Sequence, residues 1–230
     1  MQITEFSVFG LRSSIVDLRT PNSPLRFRLF PMVHIGNPEY YRDVTRRLSE
    51  CDLVVAEGTD NASSLGFAVV LAMRLTGRRA AWSLVHQDID YAVLGKPTAW
   101  PEGSGTPRRS WWRSAAGWLD VLLMTPFYTV VMVAGGRDWL LRQHYVVNDN
   151  TEVRARFRSK DVVDARDRVL LDALAGIYAE RKDRREVVGI AYGAGHMPAV
   201  VRELRREFGY RPVGAEWVTV FDDANLHVRF

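Results

Sequence analysis

The chain has 230 residues, 47% of them hydrophobic and 25% charged, with a formal net charge of +4. That size and balance fit one globular α/β domain with room for an inserted segment. The basic excess comes from scattered arginines paired with acids, as in Arg202-Glu203, which excludes a nucleic-acid-binding stripe, and the lone Cys51 excludes an intrachain disulfide or a Cys-based zinc cage.

The first ten residues alternate polar and apolar and lack the basic and apolar regions of a signal peptide. With a single cysteine, they lead to the expectation of a cytoplasmic protein. Phe6–Phe9 is a predicted short strand. Residues 12–24 are rich in turn formers and are expected to be irregular. Leu25–His34 alternates and then turns apolar, predicting a strand that enters the core and ends at His34. Asn37-Pro38-Glu39 is a helix start: a cap residue, a proline and an acid in the first turn. The helix should run to about Glu50, with Tyr41, Val44 and Leu48 on one face. Leu53–Ala56 is a predicted buried strand ending at Glu57-Gly58. Ser63–Thr76 predicts an apolar helix, and Ala80–Val85 a further strand.

Composition changes at Gly95. The stretch from Lys96 to Pro107 contains Pro97, Pro101, Gly103 and Gly105 and is expected to be a loop at the edge of an insertion. A Trp-rich insertion over residues 95–145 follows. It holds an apolar run from Ser114 to Gly136, interrupted by Pro126, and a predicted helix over Asp138–Tyr145. Asp161–Glu180 predicts a long helix. Val187–Gly193 is an apolar, β-branched run leading into a Gly-rich turn with His196. Pro198 then opens an amphipathic helix, and Gly209 stands where its C-terminal cap belongs. Ala215–Phe221 and Leu226–Phe230 are predicted strands. This order predicts an α/β fold: a mixed central sheet flanked by helices, with an inserted apolar helical lid. Two stretches look alike, Met32-Val33-His34-Ile35-Gly36-Asn37-Pro38 and Ala194-Gly195-His196-Met197-Pro198, and suggest an internal repeat.

His34, Glu57 and His196 share one expected position, the C-terminal end of a buried strand, where open α/β sheets bind ligands. If the strands are parallel neighbours, two imidazoles and a carboxylate converge at one rim. That donor set suits a catalytic divalent metal with open positions for water, with Mn, Co or Zn as candidates. Each residue taken singly also fits an ordinary hydrogen-bonding role at a strand end. Asp88, Asp90 and His86 follow another strand and fit turn or capping roles. His144 and His227 fit structural ones.

Gly193-Ala194-Gly195-His196, followed by an apolar residue, Pro198 and an amphipathic helix, is a Gly-x-x-His motif. Over residues 27–57 and 161–217 the chain resembles the TraB/PrgY-like family, related to the Tiki metalloproteases and more distantly to erythromycin esterase-like proteins. The resemblance implies a second Gly-x-x-His motif, a glutamate after the second strand and an arginine in the helix before His196. Glu57 matches the glutamate, Arg166 the arginine and His34 the first histidine. The first motif departs from the pattern, because Pro31 stands where its glycine is expected. Residues 1–230 would then form one domain of this type. The implied activity is metal-dependent hydrolysis of a peptide or small-molecule substrate: His34, Glu57 and His196 hold the metal, and Glu57 and Arg166 act in catalysis. Other members of the family regulate or sequester without chemistry.

Two rival readings belong to other classes. Gly193-x-Gly195 between a strand and a helix is a near miss for a dinucleotide fingerprint, with Glu216 about twenty residues on. Pro198 replaces its third glycine. A binding or regulatory protein on the same fold, sequestering a peptide, is the other reading, favoured by the incomplete first motif. A Gly-x-Ser-x-Gly elbow is lacking, which removes serine hydrolases. Finally, residues 114–136 approach the length of a membrane span, with Trp111, Trp112, Trp118, Trp139, Arg109, Arg113 and Arg137 as interface anchors, so that 111–139 could touch a membrane. Asp120 within the run argues against a span and for a lid or a membrane-surface contact.

Overall fold

The structure is a computed structural model and describes residues 1–7, 10–58, 68, 71, 72, 75, 76, 84–87, 89–103, 111–134, 147, 148 and 160–222. Its centre is an eight-stranded mixed sheet. The parallel part joins β3 (Ser23–Met32), β9 (Val187–Gly193), β5 (Leu53–Ala56) and β7 (Thr98–Ala99), with β9 between β3 and β5. The antiparallel part is built on β2 (Gly10–Thr20). Leu11–Ser13 of β2 pair with both β1 (Gln2–Ser7) and β10 (Arg211–Phe221), and Val16 and Leu18 pair with both β3 and β10. A strand has two edges, so β1 and β3 share one edge of β2 in succession and β10 covers the other. β8 (Val147–Asn148) pairs with β1, and a separate two-stranded ladder joins β4 (Ile35–Gly36) to β6 (Val85–His86).

The central parallel strands β5 and β9 are apolar on both faces because helices cover both. On one side Phe30, Met32, Val54, Ala56 and Ala191 meet α1 (Pro38–Leu48) through Tyr40, Tyr41, Val44 and Leu48. On the other Phe27, Leu29, Val55, Val188 and Ile190 meet α3 (Lys160–Arg181) and α4 (Met197–Phe208). Leu170 and Leu174 of α3 and Val200 and Leu204 of α4 are almost fully buried there. α4 ends as its sequence predicts, with Gly209 in the left-handed conformation at φ 71°. Asn37 occupies the α1 cap position without a side-chain cap bond; its N–H donates instead to the Val220 carbonyl at 2.8 Å.

Several expectations are corrected. Residues 12–24 are not irregular: β2 runs through them to Thr20, and only Pro21 and Asn22 turn. Its serines are buried because carbonyls satisfy them, Ser13 Oγ donating to Pro31 O at 2.7 Å and Ser14 Oγ to Gln2 O and Ile3 O at 3.0 Å. Pro31 lies just beyond the β2–β3 ladder, so its missing N–H costs no pairing to β2 there. The first strand starts earlier than predicted, at Gln2, and residues 8 and 9 lie outside the described residues. The 96–107 loop holds a strand, β7, paired to β5. α2 (Trp111–Ala134) runs unbroken through Pro126, which is exposed, so the one forfeited helix bond leaves a carbonyl that water can reach. The described residues of 63–76 are helical. The predicted helix at 138–145 and strand at 226–230 lie outside the described residues.

The suspected repeat is visible as two strand–histidine–helix units. β3 leads to His34 and α1, β9 leads to His196 and α4, and the two strands are parallel neighbours with Met32 opposite Gly193. The units then diverge, since α1 returns to β5 beside β9 and α4 to β10, on the far edge of β2.

Gly189 marks a tight point in this packing. A Cβ there would lie 2.9 Å from Cys51 Sγ and 3.2 Å from Leu48 Cδ2. Gly189→Ala should lower unfolding free energy by about 1–3 kcal/mol through overpacking. Adding Cys51→Ala should restore part of the loss. Chemical denaturation of the two variants checks this, and equal losses would show that the clash lies elsewhere.

Candidate active site at the ends of β5 and β9

The end of β5 delivers Glu57. The ladder carries one step beyond the strand, with the Glu57 N–H donating to Ala191 O at 3.1 Å. Its carboxylate then turns back over β9 and accepts the Gly193 N–H on Oε2 at 2.7 Å. Only a glycine leaves room for this. A Cβ on Gly193 would lie 3.2 Å from Glu57 Oε2, 3.6 Å from His196 Cδ2 and 3.7 Å from His34 Nε2. The same three distances show that His34, Glu57 and His196 converge on Gly193.

Both imidazoles are pinned through Nδ1. His196 sits in a single 3₁₀ turn (Ala194–His196) before α4, and its Nδ1 lies 2.5 Å from Asp167 Oδ1. An ionised carboxylate only accepts, so a proton sits on Nδ1, and Nε2 is the nitrogen left bare whenever the ring is neutral. That Nε2 lies 3.9 Å from Glu57 Oε1. Tyr192 packs edge-on against the ring, at 5.9 Å between centroids. His34 lies two residues past the end of β3 and is exposed. Its Nδ1 lies 3.1 Å from Gln87 Oε1, and the Gln87 N–H donates to His34 O at 2.8 Å.

Arg166 of α3 closes the site from the helix side. Its Nη2 donates to Glu57 Oε1 at 2.6 Å, while Nε and Nη2 grip Glu102 at 2.9 and 2.8 Å. The next residue of the same helix is the Asp167 that holds His196. The side chains of His196, Glu57, Glu102, Asp167 and Arg166 keep only 10–19% of their exposure. Burial pushes the Glu57 carboxyl up, but His34, His196, Arg166 and the Gly193 N–H outweigh it and hold the group below its ordinary value. Burial works against the Arg166 cation too, and Glu102 and Glu57 more than offset it. Tyr91 and Tyr192 line the site with their hydroxyls shut off from water and, among the described residues, without a close hydrogen-bond partner. Burial and then the nearby carboxylates raise both phenols well above their usual range.

The structure thus brings together all four residues expected from the sequence: His34, Glu57, Arg166 and His196. It adds Glu102, Asp167, Gln87 and Tyr91. Glu102 was hidden in a loop read only as an insertion boundary, and Asp167 was one acid among many on an arginine-rich helix. Their signal was slight: Asp167 adjoins Arg166, and Glu102 follows a proline in a turn.

Other candidates fall away from the site. Asp90 is exposed and caps its own turn by accepting the Ala92 N–H at 3.0 Å. The His86 side chain, Asp88, His144 and His227 lie outside the described residues. Cys51 is buried, and burial pushes its thiol up to about 12, so it packs as an apolar side chain. Glu216, the acid of the dinucleotide reading, is bound to Arg47 of α1 at 2.7 Å, and the Gly193 N–H that would meet a phosphate is already given to Glu57.

A metal does not fit the side chains as they stand. Among the described residues no group of three or more His, Cys, Asp or Glu is disposed to hold an ion. Glu57, the central donor, gives one oxygen to a guanidinium and the other to a backbone N–H.

Because Glu57 is depressed in the folded state, its contribution to stability is present above its unfolded value and lost as pH falls through the lower, folded value. Glu57→Gln should therefore flatten the acid side of the stability profile below about pH 4.5. Urea unfolding across pH would detect this; identical acid slopes for the two proteins would mean that the carboxylate is not so held. Set against known proteins, the chain matches no protein-family model, no curated protein and no solved structure.

Proposed function

We propose that this chain is a hydrolase that cleaves a carbonyl-centred bond in a peptide or small molecule, with His196 as the general base. The observation that carries the reading is the Asp167–His196 pair, its Nε2 facing a buried, ionised Glu57. A water beside Nε2 would give up a proton to the imidazole as it attacks the carbonyl carbon. Asp167 fixes the tautomer and stabilises the imidazolium that forms. Glu57 orients the water, and Arg166 supplies the positive charge nearest to a developing oxyanion. Gln87 positions the exposed His34 at the mouth, where substrate enters.

A second reading is the metal-dependent one, implied by the resemblance to Tiki-type metalloproteases. Two observations favour it. His34 Nε2 and His196 Cδ2 both approach Gly193, and Asp167 stands behind His196 as an outer carboxylate stands behind a metal-bound histidine. Two carboxylates, Glu57 and Glu102, also share one guanidinium, while a third, Asp167, lies on His196. His34, Glu57 and His196 would be the ligands of a divalent ion such as Mn, Co or Zn, and Glu57 would first have to leave Arg166.

A screen of activated esters and short peptides, with and without added divalent metals, tests both. His196→Ala should lower the rate by about 10²–10⁴-fold, with partial rescue by free imidazole, and Asp167→Asn should also slow it. Activity that chelators abolish and added metal restores would select the second reading. Absence of hydrolysis in every condition, with peptide retained equally by wild type and His196→Ala, would replace both by a sequestering protein.

A further inference from the structure

α2 is 24 residues long, about 36 Å at the usual helical rise. Its two sides differ in what covers them, not in polarity. Val121, Thr125 and Tyr128 are buried, and Met124 and Val131 pack beside Tyr128 onto the cluster that contains Tyr91 and Ala56. The other side is a continuous apolar stripe at helical spacing: Leu119, Leu122, Leu123, Phe127, Val130 and Val133, each 53–74% exposed. Trp118 extends it at 61%. An apolar area of this kind on the outside of a protein marks a contact surface. None of the described helices is long and apolar enough to cross a membrane, so the stripe is not one side of a span.

Charge selects the occupant. From Arg108 to Trp139 the chain carries four arginines, Arg108, Arg109, Arg113 and Arg137, against two acids, Asp120 and Asp138. The arginines lie toward the two ends of the apolar run. A second copy of α2 in parallel fits this poorly, because the arginine-rich N-terminal side would meet its like. An anionic lipid surface fits both features. It accepts a half-cylinder of leucine, valine and phenylalanine at the acyl boundary and places phosphates beside the arginines. Trp111, Trp112 and Trp118 are the residue type that settles at that depth.

We propose that α2 seats this protein on an anionic lipid surface, lying in the plane of the interface with its outer stripe in the lipid. Tyr91 is common to the cluster under α2 and to the surroundings of Glu57, so the seated face adjoins the candidate active site.

The test is cosedimentation of the purified chain with phosphatidylcholine vesicles and with mixed phosphatidylcholine/phosphatidylglycerol vesicles, at low and high salt. Wild type should pellet with the mixed vesicles at low salt and be released at high salt, where the screening length shrinks from about 10 Å to about 3 Å. Leu122→Glu combined with Val130→Glu should cut partitioning roughly tenfold or more. Both positions face outward, so circular dichroism and the thermal melt should be unchanged. Three outcomes overturn the proposal: no binding to mixed vesicles at low salt, equal binding to neutral vesicles, or a wild-type dimer that the double variant makes monomeric without vesicle binding. The last would assign the stripe to a second copy of the chain.

Discussion

A carboxylate almost removed from water must be held by donors or lose its charge, and Glu57 is held from three directions. Gly193 donates from β9, Arg166 donates from α3, and the two imidazoles stand on the remaining side. These partners come from distant parts of the chain and meet only because β5 and β9 are neighbours whose ladder extends to Glu57 itself. The carboxylate joins sheet to helix at the same point where chemistry is available. Breaking that join would strand a buried guanidinium between fewer partners, as Glu102 would then face Arg166 alone.

The arrangement follows from how parallel sheets are made. A strand buried on both faces has no polar side chain to offer until it ends, so polar groups gather at strand ends. β5 and β9 follow that course, β3 does so only after Arg28, and the C-terminal ends of the three lie side by side. The histidines then come into reach of Glu57 through different local devices. His34 is positioned through a glutamine on a short neighbouring ladder, and His196 through an aspartate on a helix. One ring is exposed and the other buried, so two residues that look equivalent in the sequence have different chemical surroundings.

How much of this was legible depended on whether a residue's neighbours were local. Apolar runs revealed β5 and β9, spacing revealed α1 and α4, and the strand-end rule brought His34, Glu57 and His196 forward. β2 was missed because its serines, ordinarily turn formers, are satisfied by carbonyls of Gln2, Ile3 and Pro31, two of them on a strand paired beside it. The Pro126 break was expected from a local rule, and the helix overrides it by meeting water on that side. Glu102 and Asp167 carry their roles entirely through partners 64 and 29 residues away. No window along the sequence contains those pairs.

Arg166 and Asp167 are consecutive on α3, about 100° apart around its axis. One reaches a carboxylate and the other an imidazole. Turning the helix by a single residue in one direction would bring the aspartate toward Glu57, and in the other the guanidinium toward His196. In the first case anion would meet anion, and in the second a cation would replace the carboxylate that holds the ring. Leu170 and Leu174 would leave their burial in either movement. The phase of α3 is therefore written twice, once in grease and once in charge, and the two copies agree.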